Sequence, residues 1–135
     1  MFKALLAPPP GPSTVLTTYT TINGAVYMST GVLFWLYPYA LELFGSPKLT
    51  DDVAGYTRGI GIAVIQIGWF YLWGARTRSV SFCLSTIVNR FFGPVLILPL
   101  VFMKLLEPAL GIPFVVIDLV LATGAFIIWN RTENK

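Results

Sequence analysis

Four long apolar stretches limit the fold of this 135-residue chain more than any other feature. They cover about residues 14–36, 56–74, 81–103 and 112–130, separated by polar segments such as GSPKLTDD and GARTRS. Each is close to or above the roughly 20 helical residues that cross the hydrocarbon core of a bilayer. A helix satisfies its own backbone hydrogen bonds in lipid. The pattern predicts an all-α, four-helix transmembrane bundle.

The composition supports a bilayer as the solvent for most of the chain. Hydrophobic residues make up 56% of it and charged residues 11%, and the mean hydropathy is +0.74. Soluble domains carry about 25% charged residues, and a chain of this size has too little interior to hide so much apolar surface. We therefore predict one integral membrane domain over residues 1–135, with the lipid bilayer as a partner. The lysines and arginines form no run, so nucleic-acid binding is not expected.

The residues that usually carry catalysis are scarce. Histidine is absent, which removes the commonest general base and the usual ligand of zinc and b-type haem. The sequence also has no Walker loop, dinucleotide fingerprint, HExxH motif or nucleophile elbow. We expect no catalytic residue, no metal site and no resident cofactor, and hence a protein that is not an enzyme.

Loop charges predict the orientation in the membrane. Four spans place both termini on one face, which carries Lys3, Arg76, Arg78, Arg131 and Lys135. The opposite face carries Lys48, Arg58 and Lys104. Because basic loops stay on the cytoplasmic side, we expect both termini on the cytoplasmic or an equivalent inner side. The apolar Phe2, Leu5 and Leu6 precede three prolines, which indicates an extended tail or interfacial anchor rather than a signal peptide.

Polar side chains lie at membrane depth in all four stretches. Arg90 lies roughly 14 Å from the inner edge and Asp118 roughly 18 Å, on consecutive antiparallel spans. The full set of candidates is Arg90, Asp118, Gln66, Asn89 and Asn23. A charge at mid-span costs about 2.5–3.5 kcal/mol on insertion scales, so we predict that Arg90 pairs with Asp118. Three interpretations stay open: a structural ion pair, a polar site for a substrate, proton or lipid headgroup, and snorkelling of Arg90 to the surface.

Proline and glycine residues indicate two further features. Pro94 and Pro99 have no N–H to donate to the carbonyls of Arg90 and Val95. Together with Gly93 they predict a helix break. Such breaks are found at binding sites and also in ordinary membrane helices. Small residues recur every four positions in the second stretch, at Gly55, Gly59 and Ala63. That spacing favours close helix packing, either inside the bundle or against a separate subunit.

Three segments give the chain a resemblance to a known group of proteins. They are YTRGIGIAVIQIGWFYLWGAR, STIVNRFFGP and FVVIDLVLATGAFIIW, within roughly the last eighty residues. Together they resemble DoxX-like and related uncharacterised four-helix membrane proteins. The resemblance implies Arg58, Arg90 and Asp118 as family positions, a four-helix bundle, and association with membrane oxidoreductase complexes.

Two functions fit these patterns. The first is a non-catalytic accessory or scaffold subunit of a membrane complex, joined to other subunits or to copies of itself, with Arg90 and Asp118 in a structural role. The alternative is a small carrier or a lipid- or quinone-binding protein that uses the same polar layer as its site.

Overall fold

A computed structural model of the protein describes residues 12–132 as four α-helices and one 3-10 helix. The α-helices are α1 Val15–Leu36, α2 Asp51–Arg76, α3 Val80–Phe102 and α4 Pro108–Thr132, and the 3-10 helix Pro38–Phe44 follows α1. No strand occurs in this part of the chain, so the all-α class is confirmed for it. The predicted anchor at Phe2, Leu5 and Leu6 lies outside the described residues, as do Lys3 and Lys135.

Local sequence explains where the helices begin. Thr14 starts α1 with a capping box: its hydroxyl accepts from the Thr17 backbone N–H at 3.2 Å, and the Thr17 hydroxyl accepts from the Thr14 N–H at 2.9 Å. Helix α2 begins at Asp51, earlier than the apolar stretch, because acidic side chains favour the positive end of the helix dipole. Pro108 is the first residue of α4, and the fixed φ of proline suits the first helical position.

Helices α1 and α2 form an antiparallel pair whose backbones touch at glycines. Gly24 faces Gly68, and Gly31 faces Gly61. A Cβ atom added at Gly68 would lie 2.5 Å from the Met28 backbone nitrogen, and one at Gly31 would lie 2.6 Å from the Gly61 carbonyl oxygen. Each helix spaces its two glycines by seven residues, or about two turns, so both contacts fall on one face. Only glycine permits so close an approach at these four positions.

The small-residue stripe predicted from the sequence lies elsewhere. Gly55, Gly59 and Ala63 are on the exposed side of α2, and a Cβ at Gly55 or Gly59 would meet no atom of the described residues within 4 Å. The expectation that this stripe packs inside the bundle is therefore wrong. At about 100° per residue, Gly59 and Gly61 point in nearly opposite directions. Packing against a separate subunit stays a prediction.

Helices α3 and α4 form the second antiparallel pair. A Cβ at Gly111 of α4 would lie 2.6 Å from a methyl carbon of Val101 on α3. Helix α3 is continuous from Val80 to Phe102 through both Pro94 and Pro99, so the predicted break is absent. Each proline removes one helical hydrogen bond, and the neighbouring residues keep the helical conformation. Gly93 instead makes room for an acidic side chain, because its added Cβ would lie 2.5 Å from Asp118 Oδ2.

The two pairs meet through apolar contacts at one end and through polar residues further along. Leu16 of α1, Cys83 and Ile87 of α3 and Ala125 of α4 form a buried cluster near the start of α1 and the end of α4. Helix α1 therefore begins where α4 ends. Within the described residues, α3 and α4 are long and apolar enough to cross a membrane.

Candidate functional site

A buried polar cluster lies where the four helices meet, and we call its five residues the polar core. They are Asn23 and Tyr27 of α1, Tyr71 of α2, Arg90 of α3 and Asp118 of α4. Asn23 is 0% exposed and Arg90 is 1% exposed. Tyr27 and Tyr71 are also buried, and Asp118 is half-buried. Arg90 is the largest fully buried side chain of the described chain.

Arg90 is surrounded by one amide and two aromatic rings. With the Asn23 amide oxygen turned toward the guanidinium, that oxygen accepts from Nη1 at 2.7 Å and from Nη2 at 3.2 Å. The Arg90 Cζ lies 4.7 Å from the Tyr71 ring centroid and 5.7 Å from that of Tyr27. Cation–π contacts strengthen to about 2 kcal/mol or more when the cation is desolvated. The Nε–H has no hydrogen-bond partner among residues 12–132.

Asp118 is held by the same tyrosine that contacts Arg90. The Tyr27 hydroxyl donates to Asp118 Oδ1, while Oδ2 lies beside Gly93. Tyr27 also packs edge-to-face against Tyr71, with ring centroids 5.5 Å apart. Arg90 and Asp118 form no direct ion pair; Tyr27 contacts both side chains instead. The pairing predicted from the sequence is thus replaced by a link through Tyr27, because ring faces and the Asn23 carbonyl already stabilise the guanidinium.

The structure brings three of the five predicted polar residues together and separates the other two. Arg90, Asp118 and Asn23 belong to the polar core, whereas Gln66 and Asn89 lie on exposed faces of α2 and α3. Residue counting gives depth along a helix, but the direction of a side chain turns by about 100° per residue. Asn89 therefore points away from the interior that its neighbour Arg90 occupies.

Sequence reasoning missed both tyrosines of the polar core. Tyr27 follows Asn23 by four residues, a spacing that places two side chains on one helix face, so the sequence did carry a signal for it. Tyr71 has no comparable signal. Its ring reaches Arg90 because the glycine contacts bring α2 close to α1, whose Asn23 contacts Arg90.

Cavities in the described part of the chain lie away from the polar core. One of about 260 Å³ lies between the first turns of α1 and the last turns of α2, with hydroxyl and arginine side chains in its wall. Another, of about 130 Å³, is apolar and lies near the 3-10 helix, where Phe34 and Phe114 have ring centroids 6.0 Å apart. A third, of about 310 Å³, lies beside the loop that precedes α2. Among residues 12–132, no three His, Cys, Asp or Glu side chains come together to hold a metal ion.

The arrangement of the polar core is suited to holding helices together. Its members come from all four helices, and its cation and amide are sealed from the surroundings. Comparison of the chain with protein-family models, with curated proteins and with solved structures found no match. The resemblance to DoxX-like proteins therefore stays a prediction.

Proposed function

We propose that this chain is a four-span integral membrane protein, with its termini on the inner side, that acts as a non-catalytic accessory or scaffold subunit of a membrane complex. The observation that carries the proposal is the closed polar core. Arg90 and Asn23 bond to each other in the interior, so the strongest polar groups at membrane depth are used to join helices. A structural role for these groups leaves the outer faces of the helices for contacts with partners.

The apolar surface supports the membrane setting. In the most apolar 18-residue window of α3, and likewise of α4, only 22% of the residues are buried. Leu96 is 67% exposed, Phe92 59% and Val120 63%. A core helix of a soluble protein would be mostly buried, and soluble monomers rarely expose apolar patches above a few hundred Å². A lipid environment accounts for the exposed apolar side chains of both helices.

The outer side of α2 is the surface we assign to a partner. Gly55, Gly59 and Ala63 are exposed there, and Gln66 follows Gly59 by seven residues and so shares its face. We call these four residues the α2 face. Small residues permit a close approach of a second helix, and an amide at membrane depth gains from a hydrogen bond across that contact.

Purification in mild detergent tests this proposal. We expect the wild-type chain to elute with stable partner subunits rather than as a lone 14.9 kDa protein. Gly59→Leu and Gln66→Leu should release the partners without unfolding the chain. Asn89→Leu is the matched control, since it removes an exposed amide from α3. Elution of the wild type alone, or equal partner loss in the control, would contradict the proposal.

One observation favours the carrier alternative, in which the polar core binds a lipid or quinone. The Arg90 Nε–H is buried and has no acceptor within the described part of the chain, so it is a donor that a ligand carbonyl could satisfy. The double variant Arg90→Met with Asp118→Leu tests it. A ligand that co-purifies at one molecule per chain with the wild type and is lost from the double variant would establish the carrier. If the double variant keeps both its fold and the co-purifying ligand, the site interpretation fails.

A further inference from the structure

We propose that the cavity between α1 and α2 binds the phosphate group of an anionic phospholipid. We call it the arginine groove, and it is lined by Ser13, Thr17, Thr18, Thr21, Leu72, Ala75, Arg76 and Arg78. The proposal rests on the membrane setting argued above. It concerns a different surface from the α2 face and a different class of partner.

Two arginines supply the charge of the groove. Arg78 lies in the turn between α2 and α3, and Arg76 in the last turn of α2, where its guanidinium lies 5.6 Å from the Trp73 ring centroid. Planar guanidinium groups bind phosphate oxygens through paired N–H donors. The first turn of α1 brings the positive end of its helix dipole and the last turn of α2 the negative end of its own, so the arginines set the sign of the charge. The carbonyls of Gly74 and Ala75 at the end of α2 accept from the N–H groups of Thr77 and Arg78.

Charge is divided unevenly between the two ends of the described chain. The end that holds the groove carries Arg76, Arg78 and Arg131, and no carboxylate among residues 12–132. The opposite end holds the carboxylates of Glu42, Asp51, Asp52 and Glu107. An anion near the groove is therefore attracted by the arginines of this end.

Hydroxyl groups line the wall formed by α1. The Thr17 and Thr21 hydroxyls donate to backbone carbonyls of their own helix, at 2.9 Å in each case. Ser13 and Thr18 are exposed, and no hydrogen bond within the described residues uses their hydroxyls. These two hydroxyls are the donors available to a bound phosphate ester. Leu72 and Ala75 make the opposite wall apolar, which suits a headgroup attached to acyl chains better than free phosphate.

The backbone at Arg78 allows a closely matched control for the test. Its φ is +56°, a left-handed conformation that glycine adopts without strain and that a residue with a Cβ adopts only at a cost. Lys104, in the turn between α3 and α4, has a φ of +58°, so it offers the same backbone and the same charge at the opposite end.

The test measures which lipids stay with the full-length chain. The protein is reconstituted in vesicles of phosphatidylcholine with one tenth phosphatidic acid, extracted in mild detergent, and its retained lipids are counted by native mass spectrometry. We expect the wild type to retain phosphatidic acid. Arg78→Gly should reduce that retention at least tenfold, while the melting temperature stays the same or rises because backbone strain is relieved. Lys104→Gly and Arg131→Gln should retain the lipid as the wild type does.

Three outcomes would overturn the proposal. An equal loss of retained phosphatidic acid in Arg78→Gly and Lys104→Gly would show a general effect of net charge. Unchanged retention in Arg76→Gln with Arg78→Gln would show that the groove is not the site. The melting temperature in a neutral detergent is compared with inorganic phosphate and with phosphatidic acid. An equal rise with inorganic phosphate alone would assign the groove to a soluble phosphate instead of a lipid.

The same reconstitution separates this proposal from the proposed function. A chain that enters phosphatidylcholine vesicles but shows no preference for the anionic lipid would remove the groove proposal and leave the membrane subunit intact. A chain that stays out of the vesicles altogether would overturn both. Partner release by Gly59→Leu is measured separately, and we expect that variant to retain phosphatidic acid.

Discussion

Arg90 shows how a buried guanidinium is stabilised when a neighbouring tyrosine holds the nearest carboxylate. Asn23 accepts from both terminal nitrogens of Arg90, and the rings of Tyr27 and Tyr71 make cation–π contacts with the guanidinium. Tyr27 has a second role, because its hydroxyl donates to Asp118. Each of these residues therefore compensates a charge that would otherwise be costly to bury.

The two tyrosines of the polar core should respond differently to loss of the hydroxyl. Tyr27→Phe leaves the Asp118 carboxylate without its donor, and we expect a loss of about 1–2 kcal/mol in the free energy of unfolding. Tyr71→Phe keeps the ring over Arg90, so we expect a change below about 0.5 kcal/mol. Reversible unfolding in mixed micelles measures both. Equal losses would show that the Tyr27–Asp118 hydrogen bond is not the difference between them.

At the scale of the helices, the positions of glycines decide which surfaces touch. Gly61 and Gly68 bring α2 against α1, whereas Gly55 and Gly59 lie on the far side of the same helix. Sequence spacing alone does not separate these sets, because both present small residues at intervals that suit helix contacts. Only the contact with α1 shows which face is internal.

Glycine-to-alanine variants distinguish the two faces of α2. Gly68→Ala places a methyl group 2.5 Å from the Met28 backbone nitrogen, and we expect overpacking to lower the free energy of unfolding by about 1–3 kcal/mol. Gly59→Ala meets open space and gains helix propensity, so the isolated chain should be unchanged or up to about 1 kcal/mol more stable. Thermal unfolding of the detergent-solubilised chain tests the pair. Destabilisation by Gly59→Ala alone would reverse our assignment of the internal face.

For the whole molecule, the polar core joins two helical pairs that are otherwise in limited contact. Helix α1 packs mainly on α2, and α3 mainly on α4. The Arg90 guanidinium and the Asn23 amide lie inside while large apolar side chains such as Leu96 and Phe70 lie outside, which suits lipid as the surrounding solvent. In the proposed topology, the basic groove end and the acidic opposite end would face the two sides of the membrane.

Cysteine labelling tests that topology. In a Cys83→Ser background, Ser46→Cys reports the loop before α2, and Thr77→Cys reports the turn after it. With both termini inside, an impermeant maleimide added to intact cells should label the cysteine at position 46 and should label the one at position 77 only after permeabilisation. The opposite pattern would invert the orientation. Labelling of both in intact cells would exclude the four-span arrangement.

The sequence by itself determined the helical class, the approximate extent of each described helix and how far along its helix each polar residue lies. These follow from apolar length and from a constant rise per residue. Only the tertiary structure decided the direction in which each side chain points from its helix. Steps of one or two residues along a helix, each a rotation of about 100°, placed Arg90 inside and Asn89 outside, set Gly61 against α1 and left Gly59 exposed. They also brought Tyr71 to Arg90. Direction depends on which helices pack together, and that depends on contacts between residues far apart in the chain.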